Sequence, residues 1–167
     1  GLRISNFDLS DNIYWEPRIS VNYRLTNYIA IKGSIDQNTQ FLHRFSNDFM
    51  IGGKKFVWLL SDENLRPLSS KQINGGIQYD DKNLTSEITI FKHEITNLSD
   101  FSRLQFPSDV YNSSSDRIYY MGSSSSEGIE LLFQKKTGLV RGWIGYTYGL
   151  TEFYFPDSTI NNGIKYP

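Results

Sequence analysis

Between Trp15 and Leu25 the chain alternates without a break. The odd positions are Trp15, Pro17, Ile19, Val21, Tyr23 and Leu25, and the even ones are Glu16, Arg18, Ser20, Asn22 and Arg24. Successive side chains of a β-strand point to opposite faces, so this run has one wholly apolar face and one wholly polar face. The pattern recurs. Ile29, Ile31, Gly33 and Ile35 oppose Lys32, Ser34, Asp36 and Asn38, and Ile73, Gly75, Ile77 and Tyr79 oppose Gln72, Asn74, Gly76 and Gln78. A fourth run, about 84–96, sets Ser86, Ile88 and Ile90 against Thr85, Glu87, Thr89 and His93, with Phe91 on the polar side. In the fifth, Ile129, Leu131 and Phe133 oppose Gly128, Glu130 and Gln134, and Leu132 breaks the order. The sixth sets Val140, Ile144, Tyr146, Tyr148 and Leu150 against Arg141, Trp143, Thr147 and Thr151.

The connections are as uneven as the runs are regular. Tight turns are predicted at Leu25-Thr26-Asn27-Tyr28, Asp81-Lys82-Asn83 and Lys136-Thr137-Gly138. Between them lie two long stretches, 44–70 and 97–125, where most connections in compact domains are about 4–6 residues. Barrels of the bacterial outer membrane have this asymmetry, with short periplasmic turns and long extracellular loops.

Alternation alone suits two architectures. A soluble antiparallel sheet packs its apolar face on a core, whereas a membrane barrel turns that face to lipid and its polar face to the lumen. Run length favours the second, because a tilted strand crosses a bilayer in about 9–11 residues and soluble strands are usually about 5–6. Aromatics collect near run ends, at Tyr14 and Trp15, Tyr23 and Tyr28, Tyr79, Phe133, and Phe153 to Phe155. That is where an interfacial belt would sit. Hydrophobic residues make up only 38% of the 167 while aromatics reach 15%, which fits a β structure with one apolar face better than a helical bundle. The absence of cysteine removes disulfides and thiolate metal sites, and a net charge of -1 gives no field for nucleic acid.

Few residues suggest chemistry. His43 and His93 stand far apart in sequence and outside any metal-ligand spacing. Asp80-Asp81 and Asp62-Glu63 fall in turns and loops, where solvated acids are the default. No catalytic residue, metal ligand or cofactor site is expected, and the chain is not read as an enzyme. Aromatics in the long loops are the more telling set, because exposed rings on loops contact ligands. Trp58, Phe106, Tyr111, Tyr119 and Tyr120 are the candidate substrate-binding residues.

Two segments carry a resemblance. Trp15-Glu16-Pro17-Arg18-Ile19-Ser20, followed by Tyr23-Arg24-Leu25-Thr26-Asn27, is similar to a barrel hairpin of the TonB-dependent outer-membrane receptors. Glu127-Gly128-Ile129-Glu130-Leu131-Leu132-Phe133-Gln134-Lys135-Lys136-Thr137-Gly138, then Gly142-Trp143-Ile144-Gly145-Tyr146-Thr147, resembles a second hairpin of the same barrels. Residues 161–167 fit the loop that follows it.

The resemblance implies an all-β, antiparallel transmembrane β-barrel segment of about six strands in three hairpins. It places the protein in the outer membrane of a Gram-negative cell. Members of the family have barrels of about 22 strands around a plugged lumen, so residues 1–167 are expected to be a partial barrel domain, an internal piece lacking plug and remaining strands. The implied function is TonB-driven import of an iron chelate, a vitamin or an oligosaccharide. The implied partners are the lipid bilayer, TonB and the plug through the full-length protein, and a small-molecule or glycan ligand. Glu16, Arg18, Asn22, Arg24, Lys32 and Asp36 are expected to face the lumen. The competing reading is a soluble β-sandwich or small barrel that binds carbohydrate. The two part over Ile19, Val21 and Tyr23, which a sandwich must cover with a second layer.

Overall fold

A computed structural model describes residues 1–8, 10–47, 55–101, 119–157 and 160–167. Nine strands follow in order: β1 (Leu2–Phe7), β2 (Ser10–Arg24), β3 (Ile29–Gln40), β4 (Leu42–Asn47), β5 (Lys55–Leu60), β6 (Leu68–Asp80), β7 (Leu84–Phe101), β8 (Tyr119–Lys135) and β9 (Gly142–Tyr154). Seven form one sheet in the order β1-β2-β3-β6-β7-β8-β9, and β4 pairs β5 as a separate hairpin. Every pairing is antiparallel. The sheet is open, with β1 and β9 at its edges.

The expectation of about six strands covers β2, β3, β6, β7, β8 and β9. It omits three. β1 is short, β5 lies inside the stretch read as the loop 44–70, and β4 runs into that stretch from Leu42. Their six residues apiece give too few alternations to stand out. The β4–β5 hairpin also resolves the excess of that loop: the chain there has a ladder of its own, from Leu42↔Leu60 to Asn47↔Lys55.

The turns at 25–28, 81–83 and 136–141 lie along one edge of the sheet, and the connection from β3 to β6 leaves the other, where β1 also turns into β2. At the short edge, Asp81 Oδ1 accepts the amides of Asn83 and Leu84, both at 2.7 Å. Thr26 Oγ1 does the same for Tyr28 and Ile29 at 3.2 and 3.0 Å. These side-chain acceptors replace the backbone partners that a reversing chain lacks. Neighbouring turns are also joined. Thr137 donates to Asn83 Oδ1 at 2.7 Å, the Lys136 amide donates to the Asn83 carbonyl at 2.8 Å, and the Lys136 ammonium pairs with Asp80.

Register carries the apolar face from strand to strand. One row runs Tyr23, Ile31, Ile77, Ile88, Leu131, Tyr146, and the next runs Val21, Gly33, Gly75, Ile90, Ile129, Tyr148. Nothing among the described residues covers these rows. Ile19 is 62% exposed and Val21 60%, while the buried apolar side chains are Phe45, Leu65 and Phe155. A sandwich of this size would hide its isoleucines. Here the apolar face is outermost and the few buried rings sit beyond the strands that carry it.

The ladder between β2 and β3 stops early. It spans only Arg18↔Asp36 to Arg24↔Ala30, although both strands continue. The cause is Pro17. Arg18 exchanges both backbone bonds with Gly1, at 2.8 and 2.6 Å, so its neighbours in β2 turn their backbone groups the other way, toward β3. Proline has no amide to give at that position. Above it the two strands separate into a fork.

Candidate functional site

The polar face is built by the same register that makes the apolar one. Arg18 lies opposite Asp36 and Asn22 opposite Lys32, with Arg24 opposite Ala30. Arg18 donates to Asn38 Oδ1 at 2.6 Å, and Asn38 in turn donates to Asp36 at 2.9 Å. Lys32 reaches across β6 to Glu87 at 3.0 Å. It can do so because Gly76 occupies the intervening position and has no side chain to block the path. Asn74 donates to Ser34 at 3.2 Å, and Ser70 bonds His93 Nε2 at 2.7 Å. Polar side chains thus bond one another laterally across β2, β3, β6 and β7.

Glu16 differs from the others placed with it. Its side chain is fully buried at the fork, where Oε1 accepts the Thr39 amide at 2.8 Å and Oε2 lies 3.0 Å from Arg3 Nε. Continuing the β2–β3 register would set Trp15 opposite Thr39, so the carboxylate takes an amide that a longer ladder would have given to the main chain. Alternation finds the face of Glu16 and misses its task. The signal was next to it in sequence, since a proline inside a strand marks the loss of a rung.

Phe91 and Leu132, which break the alternation, each have a reason across the sheet. Phe91 faces Gly128, and Gly128 faces Gly149. A Cβ on Gly128 would stand 2.7 Å from the tip of the Phe91 ring. The two glycines form a shelf on which that ring lies. Leu132 has Gly145 opposite.

The two aromatic candidates with described side chains, Trp58 and Tyr120, lie on different strands. Trp58 lies in β5 opposite Arg44, and Tyr120 in β8 opposite Asp100, so both belong to strands and not to the loops expected for them. Tyr119 begins β8, opposite Phe101. Phe106 and Tyr111 lie outside the described residues. Trp58 is exposed, and beside it Arg44 stands over the Phe56 ring at 4.9 Å.

The β4–β5 hairpin is held to the wall by a histidine. His43 is buried, with Nε2 3.1 Å from Ser61 Oγ and Nδ1 3.0 Å from Ser99 Oγ on β7. Burial lowers its pKa below the ordinary 6.5, against a smaller raising effect from a backbone bond to Arg66. Asn97 sits at a bulge in β7 with φ of 58° and donates to the Pro67 carbonyl at 2.8 Å, which adds a second tie. Of the acid pairs, Asp81 is held below the usual carboxylate range by the amides of Asn83 and Leu84 and by the Tyr79 hydroxyl. It is a turn acceptor. Among the described residues no group of three or more His, Asp or Glu side chains converges as a metal site would require.

Residues 1–167 match the family model described as TonB dependent receptor-like, beta-barrel. No curated protein and no solved structure matches the chain.

Proposed function

The chain belongs to the TonB-dependent receptor-like β-barrel family, and we propose that it forms a section of the wall and outer rim through which a nutrient is imported across the outer membrane. One observation carries the reading: an uncovered apolar face runs across the seven-stranded sheet, and behind it polar side chains bond one another across β2, β3, β6 and β7. β2, β3, β6, β7, β8 and β9 have 12 to 18 residues, enough for a crossing of about 9–11. In that setting Arg18, Asn22, Arg24, Lys32 and Asp36 line the lumen, Glu16 closes the wall at its upper end, and the short turns lie in the periplasm. Open strand edges are not tolerated in lipid, so β1 and β9 meet further strands in the assembled barrel.

The ligand is an iron chelate, a vitamin or an oligosaccharide, taken up under TonB control. Trp58 and Tyr120 lie beyond the apolar rows, on the side a ligand approaches. With the apolar face uncovered, nothing supports the packed sandwich that a soluble carbohydrate-binding module needs.

The test is the depth and direction of single side chains. V21C and N22C variants of the intact receptor, made in a background without other reactive cysteines and each carrying an environment-sensitive dye, report neighbouring positions. In vesicles of brominated lipid the dye at position 21 should be quenched and that at position 22 should not. Equal quenching at both, or quenching at 22 alone, rejects the wall reading. Substrate-dependent uptake by cells carrying the intact protein, lost when TonB is removed, tests the transport step.

A further inference from the structure

Toward the rim the apolar face of the sheet changes character, and it does so unevenly. One of its rows runs Ile19, Ile35, Ile73, Lys92, Glu127, Leu150. Two charges stand in that row with apolar side chains on either side. The next row toward the rim sets Lys71 beside Glu94, followed by Ser125 and Glu152, and the row after it sets Ser123 beside Tyr154. Tyr166 pairs with Phe153, which brings Lys165 to the same face. Lys92 pairs with Glu94 at 2.7 Å and Lys165 with Glu152 at 3.4 Å. Lys71 and Glu127 have no ion pair among the described residues. The side chains enclose a groove of about 200 Å³. Ser123 and Ser125 form its floor, Glu94 one wall, and Glu152, Tyr154 and Lys165 the other.

On the wall reading, on which this assignment depends, that face meets lipid, where a charge is costly unless it reaches a polar partner. The groove sits directly above apolar side chains. Below Lys92 and Glu127 the next row holds Ile90, Ile129 and Tyr148, about 7 Å further along the strands. A polar recess on top of an apolar strip fits an amphiphile, with its head group in the recess and its acyl chains down the strip. The side chains of the recess narrow the choice of head group. Serine hydroxyls and carboxylates bond sugar hydroxyls, the Tyr154 ring packs on a sugar ring, and the ammonium groups of Lys71, Lys92 and Lys165 attract phosphate. A choline head group would give the carboxylates no donor. Lys71, Lys92 and Lys165 balance Glu94, Glu127 and Glu152, so the patch has no net field to gather anionic lipids at large. We infer that this groove binds the phosphorylated sugar head group of a membrane glycolipid. The site is on the outside of the wall, apart from the path of the imported nutrient.

The probe is lipid A, a diphosphorylated glucosamine disaccharide bearing acyl chains, mixed with the intact receptor in micelles and counted by native mass spectrometry. One molecule should be retained per receptor against a tenfold excess of phosphatidylglycerol. Removing both phosphates from the probe should weaken retention at least tenfold, and the double variant K71Q/K165Q should do the same. K82Q, in a turn at the other end of the wall, should leave retention unchanged. Equal retention of lipid A and phosphatidylglycerol overturns the inference, as does equal retention of the phosphorylated and dephosphorylated probes. Displacement by millimolar glucosamine 6-phosphate, which has no acyl chains, would assign the groove to soluble sugar phosphates and overturns the lipid reading. A receptor dimer that excludes lipid A and is lost in K71Q/K165Q would assign the patch to a second copy of the chain, and it too overturns that reading. Should the double variant fail to assemble, as judged by heat-modified migration on a gel, the dephosphorylated probe on the unaltered receptor still decides. The dye at position 21 separates this site from the wall. Quenching there without selective retention rejects the groove alone, and absence of quenching rejects both.

Discussion

Glu16 accepts the backbone amide of Thr39 at 2.8 Å, and with that one bond a side chain takes the place of a sheet rung. The arrangement follows from Pro17. A strand that loses a donor must either pair elsewhere or leave its neighbour's polar groups unmet, and an unmet buried group costs about 1–3 kcal/mol. The buried carboxylate accepts the Thr39 amide on one oxygen, and the other lies at ion-pair distance from Arg3 without a hydrogen bond. Replacing it by E16A should therefore destabilise the barrel by about 1–3 kcal/mol in urea unfolding from micelles. E16Q keeps an acceptor for Thr39 and should recover most of that loss. Equal losses in the two variants would mean that the ion pair with Arg3, and not the bond to Thr39, matters.

Val21 and Asn22 are adjacent and face opposite ways. In a bilayer, arginine on the lipid face of a barrel costs about 2–4 kcal/mol at mid-depth. V21R should reduce stability by that amount in lipid vesicles, and N22R should be tolerated within about 0.5 kcal/mol. Comparable losses at the two positions would contradict the assignment of faces.

Gly128 and Gly149 support the same ring unequally. A Cβ at Gly128 would stand 2.3 Å from the Tyr148 carbonyl, whereas at Gly149 the nearest atom, the tip of Phe91, is at 3.5 Å. Forcing the first contact requires backbone movement, and overpacking of this kind costs about 1–3 kcal/mol. G128A should lower the unfolding free energy by that much or prevent assembly, while G149A should be close to neutral. Trimming the ring in an F91A background should relieve little of the G128A penalty, because the harder contact is with the carbonyl.

His43 makes the hairpin sensitive to acid. Its folded pKa lies below 6.5 because burial disfavours the charged form. When pH falls below 6.5, the undocked hairpin therefore takes up a proton more readily than the docked one. Stability is unaffected above that value and is lost progressively below it, as pH approaches the folded pKa. Hydrogen exchange of the Phe45 and Leu59 amides, corrected for intrinsic rate, should accelerate between pH 7.5 and 5.5. H43Q should remove that pH dependence. An unchanged profile in H43Q would place the titrating group elsewhere.

Much of the wall was legible because its information is local. Ile19, Val21 and Tyr23 declare a face by spacing alone, and Asp81 and Thr26 declare turns by side-chain chemistry. Other features depend on residues distant in sequence. Phe91 looks like an error in its strand until Gly128 and Gly149 are placed beside it. The hairpin of β4 and β5 is too short to show a period, and its anchor joins His43 to Ser61 and Ser99. Trp58 and Tyr120 looked like loop residues because the ladders that contain them, against Arg44 and Asp100, are formed with partners the local pattern does not reveal. Pro17 was visible throughout, and only the direction of its missing amide, fixed by Gly1, turns it into a fork.

The joined turns at the short edge have a mechanical consequence. Because Thr137 and Lys136 bind Asn83 and Asp80 of the neighbouring turn, that edge resists widening in the way a hoop holds the base of a cask. At the opposite rim β2 leaves β3, and among the described residues their backbone ladder ends at Arg18↔Asp36. Any change in circumference is then taken up at the rim, and insertions there alter the mouth of the vessel without disturbing its base.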